Sequence, residues 1–178
     1  IKKEGDSKYT FPHQTVIRFD FPARGPLPPV KVFWYDSLKS MPKFDGVPAG
    51  ELIGDKDNNG SLFIGDKGML TTGTYGEVTR LLPVEKMRDY KMPAPSLTRS
   101  PGHMRDFIRA AKGGDPACSN FEVAAPFVEW MLLGVLALRH EGKIEYDPEK
   151  MRVTNNADAN KLLKPTFRKG WEFHTVKA

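Results

Sequence analysis

Residues 61–77 read SLFIGDKGMLTTGTYGE, and their four glycines and one lysine fit either a phosphate-binding loop or the turns of a small sheet. A phosphate loop needs G-x-x-x-x-G-K followed by Ser or Thr, and no Gly-Lys pair in this chain precedes either residue. The dinucleotide fingerprint needs two glycines spaced two apart, a spacing that is absent here. The runs SLFI and MLTT favour strands, and the GDKG between them is typical of a tight turn. The segment therefore predicts a β-hairpin.

Upstream of this hairpin the pattern is also that of strands. Residues 15–21, TVIRFDF, alternate apolar and polar side chains, as a half-buried strand does. Residues 30–36, VKVFWYD, carry large apolar groups on both faces, which predicts a central strand covered on both sides. Residues 37–60 are polar and rich in Gly, Pro, Asp and Asn. A loop of that length is uncommon in a compact domain and is often functional or mobile.

Downstream of the hairpin the periodicity becomes helical. Residues 100–114 place Met104, Phe107, Ile108 and Ala111 on one stripe, which predicts a helix. A second, strongly apolar helix is predicted within residues 119–142, with Ser119 or Asn120 as its N-cap, Gly142 as its stop and a kink at Pro126 unless the helix begins there. We interpret it as a buried helix. A last short helix is predicted within residues 156–164.

Strands followed by helices, without alternating βαβ units, indicate the α+β class: a mostly antiparallel open sheet with helices packed on one face. The length of 178 residues suits a single domain over residues 1–178. The chain begins with Ile1 and not with methionine, and we expect it to be a piece of a longer protein. No stretch reaches the roughly 18 apolar residues of a membrane helix, so we expect no membrane partner.

Charge and cysteine content narrow the function further. The net charge of +5 permits an anionic partner, but residues 161–170, KLLKPTFRKG, form the one dense basic cluster. We therefore expect no nucleic-acid partner. Cys118 is the single cysteine, which excludes an internal disulfide and a multi-cysteine zinc site. The four histidines lack metal-ligand spacing, so we expect no metal; they are His13, His103, His140 and His174.

Six residues are candidates for contact with a substrate. Trp34, Tyr35 and Asp36 end a predicted strand, and an aromatic face beside a carboxylate suits a sugar or polyol, although core packing explains Trp34 equally well. Tyr75 follows the hairpin with the same ambiguity. Arg99 and His103 stand at a helix start, where anions are favoured; the alternative for His103 with Asp106 is a capping and surface ion-pair cluster. No residue pattern supports a catalytic role.

Four segments carry a resemblance to a known family. They are residues 21–36, 62–77, 99–139 and 151–171, and the last two read RSPGHMRDFIRAAKGGDPACSNFEVAAPFVEWMLLGVLALR and MRVTNNADANKLLKPTFRKGW. The chain resembles the C-terminal part of bacterial oxidoreductases of the glucose–fructose oxidoreductase, inositol dehydrogenase and MocA family. The resemblance implies an NAD(P)-binding Rossmann domain, absent from this chain, that precedes a domain which shapes a sugar or cyclitol pocket and forms oligomers through its sheet face.

From the resemblance we expect a domain that binds the substrate and forms oligomers. We expect the chain to form a homo-oligomer such as a dimer, and to be catalytically inert without its Rossmann domain. The family's glycine fingerprint and its E-K-P motif are missing from these residues, so no catalytic or cofactor-binding residue carries over. Two alternatives stay open. One is a stand-alone carbohydrate-binding or dimerisation module that uses Trp34 and Tyr75. The other is an anion or nucleic-acid binder that uses the basic cluster at 161–170.

Overall fold

The computed structural model describes residues 2–5, 9–37, 39, 41–140 and 142–172. Two of the positions discussed above, Ile1 and His174, lie outside them. The chain forms two compact units, residues 1–36 with 103–178 and residues 37–102. Its strands are β1 Lys2–Glu4, β2 Gln14–Phe21, β3 Val30–Tyr35, β4 Ser61–Gly65, β5 Gly68–Thr72, β6 Arg80–Leu82, β7 Tyr146–Asp147 and β8 Arg152–Val153. Its helices are α1 His103–Ala111, α2 Phe121–Ala137 and α3 Ala157–Lys161.

The α+β class is confirmed. The strands form three antiparallel sheets, in the orders β1-β2-β3, β4-β5-β6 and β7-β8. In the first unit, α2 packs on β2 because Gly134 lets the helix approach closely: a Cβ at this position would lie 2.7 Å from Cζ of Phe19. The Trp130 ring meets Phe19 and Phe21 edge to face, with centroids 5.1 and 5.7 Å apart. These aromatic contacts join the helix to one face of the sheet.

A second cluster in the same unit buries the end of α2 against β8 and α3. Leu136, Val153 and Ala159 form its centre. The short helix α3 begins where the sequence predicts it, since the Asn156 side chain accepts hydrogen bonds from the backbone N–H groups of Asp158 and Ala159. The elements that follow α2 are thus anchored to its C-terminal half.

The hairpin prediction is confirmed in the second unit. Strands β4 and β5 pair antiparallel from Ser61 opposite Thr72 to Gly65 opposite Gly68, so only Asp66 and Lys67 form the turn. The region before it, predicted as a long loop, has no helix or strand assigned among its described residues between β3 and β4. Glycine is required in this loop at Gly60, where φ is +142° and a Cβ would lie 2.0 Å from the carbonyl oxygen of Thr72.

The prediction for β3 as a central strand is wrong. It pairs with β2 alone in the three-stranded sheet and therefore lies at its edge. Phe33 and Trp34 are both exposed. Apolar groups on both faces of β3 indicated that it is buried. In the structure β3 is an edge strand, and no described element covers its large side chains.

The two main helices also expose more than the sequence predicts. Asn120 caps α2 as expected, and the helix begins at Phe121 and contains Pro126, but it ends at Ala137 and not near Gly142. Its outward side is exposed, so the interpretation as a wholly buried helix is wrong. In α1 the predicted stripe of Met104, Phe107 and Ile108 is exposed, and the buried residue is Asp106.

Candidate functional site

The strongest candidate site is the exposed end of β3, which we call the β3 edge and define as Phe33, Trp34, Tyr35 and Asp36. Trp34 is 58% exposed and lies opposite Ile17 of β2, which is buried. Side chains on a strand alternate between faces, so Trp34 lies on the face of Ile17, whereas Phe33 and Tyr35 lie on the other. The β3 edge thus presents aromatic rings on both faces of one strand.

The rings on the second face are ordered by stacking. Phe33 and Tyr35 lie with centroids 6.3 Å apart and planes 15° from parallel. The guanidinium carbon of Arg18 lies 6.0 Å from the Phe33 centroid, and the same side chain forms a 2.8 Å ion pair with Asp20. A cation over a ring face is attracted by its quadrupole. These neighbours hold a flat aromatic surface in one orientation.

The carboxylate of Asp36 holds β3 to β2. Its Oδ1 accepts a 2.6 Å hydrogen bond from the backbone N–H of Thr15, and its Oδ2 accepts one from the Thr15 hydroxyl. The Asp36 N–H in turn donates to the Thr15 carbonyl oxygen. Thr15 is buried whereas Asp36 is exposed. The hydrogen bonds between them fix the position of the chain directly after the aromatic residues of β3. Each carboxylate oxygen keeps a second lone pair that a hydroxyl group can reach.

Tyr75 lies at the tip of a turn in the second unit. Gly73 N–H donates to the Glu77 carbonyl oxygen over 2.8 Å, and Tyr75 N–H donates to Glu77 Oε2 over 2.7 Å. This turn leaves the Tyr75 side chain 94% exposed. The Glu77 side chain therefore serves the backbone of the turn, and the phenol ring is free for contact with another molecule.

Arg99 and His103 belong to different units: Arg99 lies in the second, and His103 is the first residue of α1 in the first. Both are exposed. The ion pair formed by Asp106 is with Arg109, at 2.6 Å, and its other oxygen accepts a 2.8 Å hydrogen bond from the backbone N–H of Cys118. Asp106 thus ties α1 to the segment before α2. It is buried and not at the surface, where the alternative for His103 with Asp106 had put it.

One polar pair of the first unit was missed by the sequence reading. The Tyr146 hydroxyl donates a 2.5 Å hydrogen bond to Glu129 Oε1 of α2. Burial, together with this bond and the charge of Glu129, raises the pKa of Tyr146 to about 12. The only signal available was a glutamate inside an apolar helix, which needs a partner when buried. Its partner, 17 residues away, carries no pattern that identifies it.

An open and mostly apolar pocket in the second unit was missed as well. It measures about 380 Å³ and is lined by Glu51, Leu52, Asp55, Val78 and Arg80 among others. Arg80 donates to the carbonyl oxygens of Leu52 and Gly54 at 2.6 and 2.9 Å. Backbone N–H groups of Asn59 and Asp57 hold the pKa of Asp55 below its usual value. These groups mainly satisfy the loop itself.

Metal ions and nucleotide phosphates need particular sets of side chains and loops. Among the described residues, no cluster of three or more His, Cys, Asp or Glu side chains is placed to hold a metal ion. The segment 61–77 does not fit a dinucleotide phosphate, because Gly65 and Gly68 flank a two-residue turn between strands and not the turn from a strand into a helix. Within the described part of the chain, no helix is both long and apolar enough to cross a membrane.

Comparison with known proteins adds no relative. No family model matches the chain, and no curated protein matches it. The functional argument therefore depends on the geometry of the β3 edge. A flat aromatic face packs against the C–H groups of a sugar ring, and a neighbouring carboxylate accepts from its hydroxyls. The β3 edge therefore offers both an apolar and a polar contact to a ligand.

Proposed function

We propose that the chain is the substrate-binding and oligomerisation domain of an NAD(P)-dependent oxidoreductase that acts on a sugar or a cyclitol. In this proposal the β3 edge contacts the substrate, and a separate nucleotide-binding domain holds the cofactor. The family resemblance motivates the class of enzyme, and the α+β fold with antiparallel sheets is compatible with it.

The single observation that supports a carbohydrate ligand is the exposure of Trp34 beside Asp36. Trp34 contributes little to the stability of the fold for its size, because more than half of its surface stays in water. The same ring would bury that apolar surface if it packed against the apolar face of a sugar. Phe33 and Tyr35, stacked on the opposite face, offer a second platform for such a ligand.

Redox work in this proposal belongs to the companion domain. Hydride transfer needs the nicotinamide ring held against the carbon that reacts, and a dinucleotide fold does this. Gly65 and Gly68 flank the turn of a hairpin, and Gly73 and Gly76 belong to the turn that follows it. We therefore expect the 178-residue chain alone to bind neither NADH nor NADPH and to be catalytically inert.

Calorimetric titration with a panel of aldoses, ketoses and cyclitols tests the binding role. We expect Trp34→Ala to weaken binding of the ligand that is found by roughly tenfold or more, as the loss of one stacking aromatic does. Trp171→Ala is the matched control, since Trp171 is also exposed and stacks with Arg168 at 4.9 Å. Equal losses in the two variants, or no loss at Trp34, would contradict the proposal. Micromolar binding of NADH by the wild-type chain would overturn its cofactor part.

The stand-alone carbohydrate-binding module is the second candidate. The 94% exposure of Tyr75 at a turn tip favours it, because such a ring is available to a ligand without any further domain. The encoding frame upstream of residue 1 separates the two candidates. A strand followed by G-x-G-x-x-G supports the oxidoreductase, and a start codon or a signal peptide supports the module.

A further inference from the structure

The pocket of the second unit contains a polar group that its surroundings leave without a partner. Glu51 lies directly before the loop of residues 52–60 and lines the pocket. Its Oε1 accepts a 3.0 Å hydrogen bond from the backbone N–H of Val84. Its Oε2 is buried, and no described residue donates a hydrogen bond to it. A buried carboxylate oxygen without a donor costs free energy, and a cationic donor relieves that cost most strongly.

The rest of the pocket is lined mainly by three large apolar side chains. We call them the apolar wall; they are Leu52, Val78 and Val84, and all three are exposed. The pocket measures about 380 Å³. Sites for small molecules measure roughly 300–1,000 Å³ and combine an apolar lining with a few polar groups. The apolar wall beside Glu51 therefore suits a small ligand with an apolar body and a donor group.

Val78 is held in the apolar wall in a strained conformation. Its φ is +47°, in the left-handed region that a β-branched residue rarely adopts. Arg80 fixes the backbone there, because its Nη1 donates to the carbonyl oxygens of Val78 and Gly54 at 3.0 and 2.9 Å. The Thr79 hydroxyl donates to the Gly76 carbonyl oxygen at 2.9 Å and holds the other side of the turn. Strained residues that their surroundings hold in place are concentrated at ligand sites.

Charges of both signs surround the pocket. Glu51 and Asp55 are acidic, and Lys56 and Arg80 are basic. The Asp55 carboxylate already accepts hydrogen bonds from two backbone N–H groups and from the Thr74 hydroxyl, so the acidic group that still needs a donor is Glu51. A ligand with one positive and one negative group close together complements both signs, whereas a singly charged ligand complements only one.

We propose that this pocket binds a free α-amino acid with an apolar side chain. The ammonium group of the ligand donates to Glu51 Oε2, and its carboxylate is attracted by Lys56 and Arg80. Its side chain packs on the apolar wall. This ligand and this site differ from the sugar and the β3 edge, so the proposal does not depend on the oxidoreductase activity.

An NMR titration of the isotope-labelled chain of 178 residues tests the proposal. We expect leucine at up to about 10 mM to shift the amide resonances of Gly54, Val78 and Val84 and to leave that of Trp34 unchanged. Isocaproate lacks the ammonium group and isopentylamine lacks the carboxylate, and each should bind at least about tenfold more weakly. The proposal is overturned if neither leucine, valine, isoleucine, methionine nor phenylalanine shifts these resonances. Isopentylamine that binds as tightly as leucine would contradict the assignment of an amino acid.

Glu51→Gln tests the contact with the ammonium group. Glutamine keeps an oxygen for the Val84 N–H but carries no charge, so we expect leucine to bind about tenfold more weakly or worse. Glu85→Gln is the matched control, because Glu85 is exposed on the adjacent helical turn Val84–Met87 and does not line the pocket. It should change the dissociation constant less than about twofold. Equal effects of the two variants would contradict the role of Glu51.

Val78→Asn separates binding from folding. Asparagine adopts the left-handed conformation more readily than valine, so the urea midpoint of the second unit should rise. The apolar wall loses a member at the same time, so leucine should bind about fivefold more weakly or worse. A purely structural role of Val78 would leave binding unchanged, and that result would contradict the proposal.

Discussion

The loop of residues 52–60 and the helix α2 differ in which of their groups find partners within the fold. The loop is polar, and its backbone groups find partners within the second unit: Gly54 N–H donates to the Thr71 hydroxyl, and Asp55 accepts from two backbone N–H groups. Helix α2 satisfies its backbone by itself, but it leaves half of its apolar side chains uncovered. The loop is complete without a partner, whereas the helix is not.

This difference teaches where an interface is to be expected. Hydrogen bonds are satisfied locally because each N–H and C=O group must be paired as soon as it leaves water. Apolar surface needs no specific partner nearby, so a folded chain can leave some of it exposed. In this protein the residues that look most like a site by composition, the Gly- and Asp-rich loop, serve the fold, whereas the apolar helix α2 keeps a large exposed surface.

The largest expected effect is at Gly60, where we expect Gly60→Ala to destabilise the second unit by more than about 3 kcal/mol. A methyl group there would lie 2.0 Å from the backbone oxygen of Thr72, in a conformation with φ of +142°. Gly76→Ala is the control: φ is +82° but no atom lies within 4 Å, so only the backbone strain of about 1 kcal/mol remains. Urea denaturation measures both. Equal losses would show that the loop does not close on the hairpin.

A smaller loss is expected from Thr71→Val, about 2 kcal/mol. Thr71 is fully buried, and its hydroxyl accepts from Gly54 N–H at 2.7 Å and donates to the Ser61 carbonyl oxygen at 3.0 Å. Valine has nearly the same shape and leaves both groups unpaired. Thr79→Val is the control, because Thr79 is exposed and water replaces its lost bonds. A loss below about 0.5 kcal/mol in Thr71→Val would contradict the claim that this unit is held by polar contacts.

The smallest effect concerns the hydrogen bond between Tyr146 and Glu129 of α2, and it depends on pH. The pKa of Tyr146 is raised to about 12 from 10.0, so its neutral form is favoured in the folded state. The contribution of this hydroxyl to the free energy of unfolding is full below pH 10 and is lost as the pH rises toward 12. The reason is that Tyr146 loses its proton at a lower pH in the unfolded chain than in the folded one. We expect a decline of about 1 kcal/mol between pH 9 and pH 11, absent in Tyr146→Phe. Urea denaturation at pH 9, 10 and 11 measures the slope; an unchanged slope in the variant would contradict the assignment.

Much of the fold could be predicted from the sequence, because the signals are local. The hairpin at 61–72 follows from glycines beside β-prone runs, and the start of α2 follows from Asn120. Edge position is different. Strand β3 carries apolar groups on both faces, and only its pairing with β2 alone shows that it lies at the edge of its sheet. That pairing depends on distant residues, which a pattern within seven residues cannot contain.

The site was predictable only in part, for the same reason. Trp34 and Tyr75 were identified as aromatic residues near loops, and both are exposed. The Tyr146 partner of Glu129 is 17 residues away, and the Cys118 N–H that Asp106 accepts from is 12 residues away, so a local pattern cannot show either contact. Periodicity located the apolar stripe of α1, but it cannot tell a stripe that faces a core from one that faces a partner.

The most direct measurement of whether the outward side of α2 is uncovered is the reactivity of a cysteine placed on it. In a Cys118→Ser background, Leu132→Cys should react with a maleimide about as fast as Tyr75→Cys, because both positions are exposed. Leu136→Cys, at a buried position of the same helix, should react much more slowly. A reaction of Leu132→Cys as slow as that of Leu136→Cys would contradict the claim that this side of α2 is uncovered.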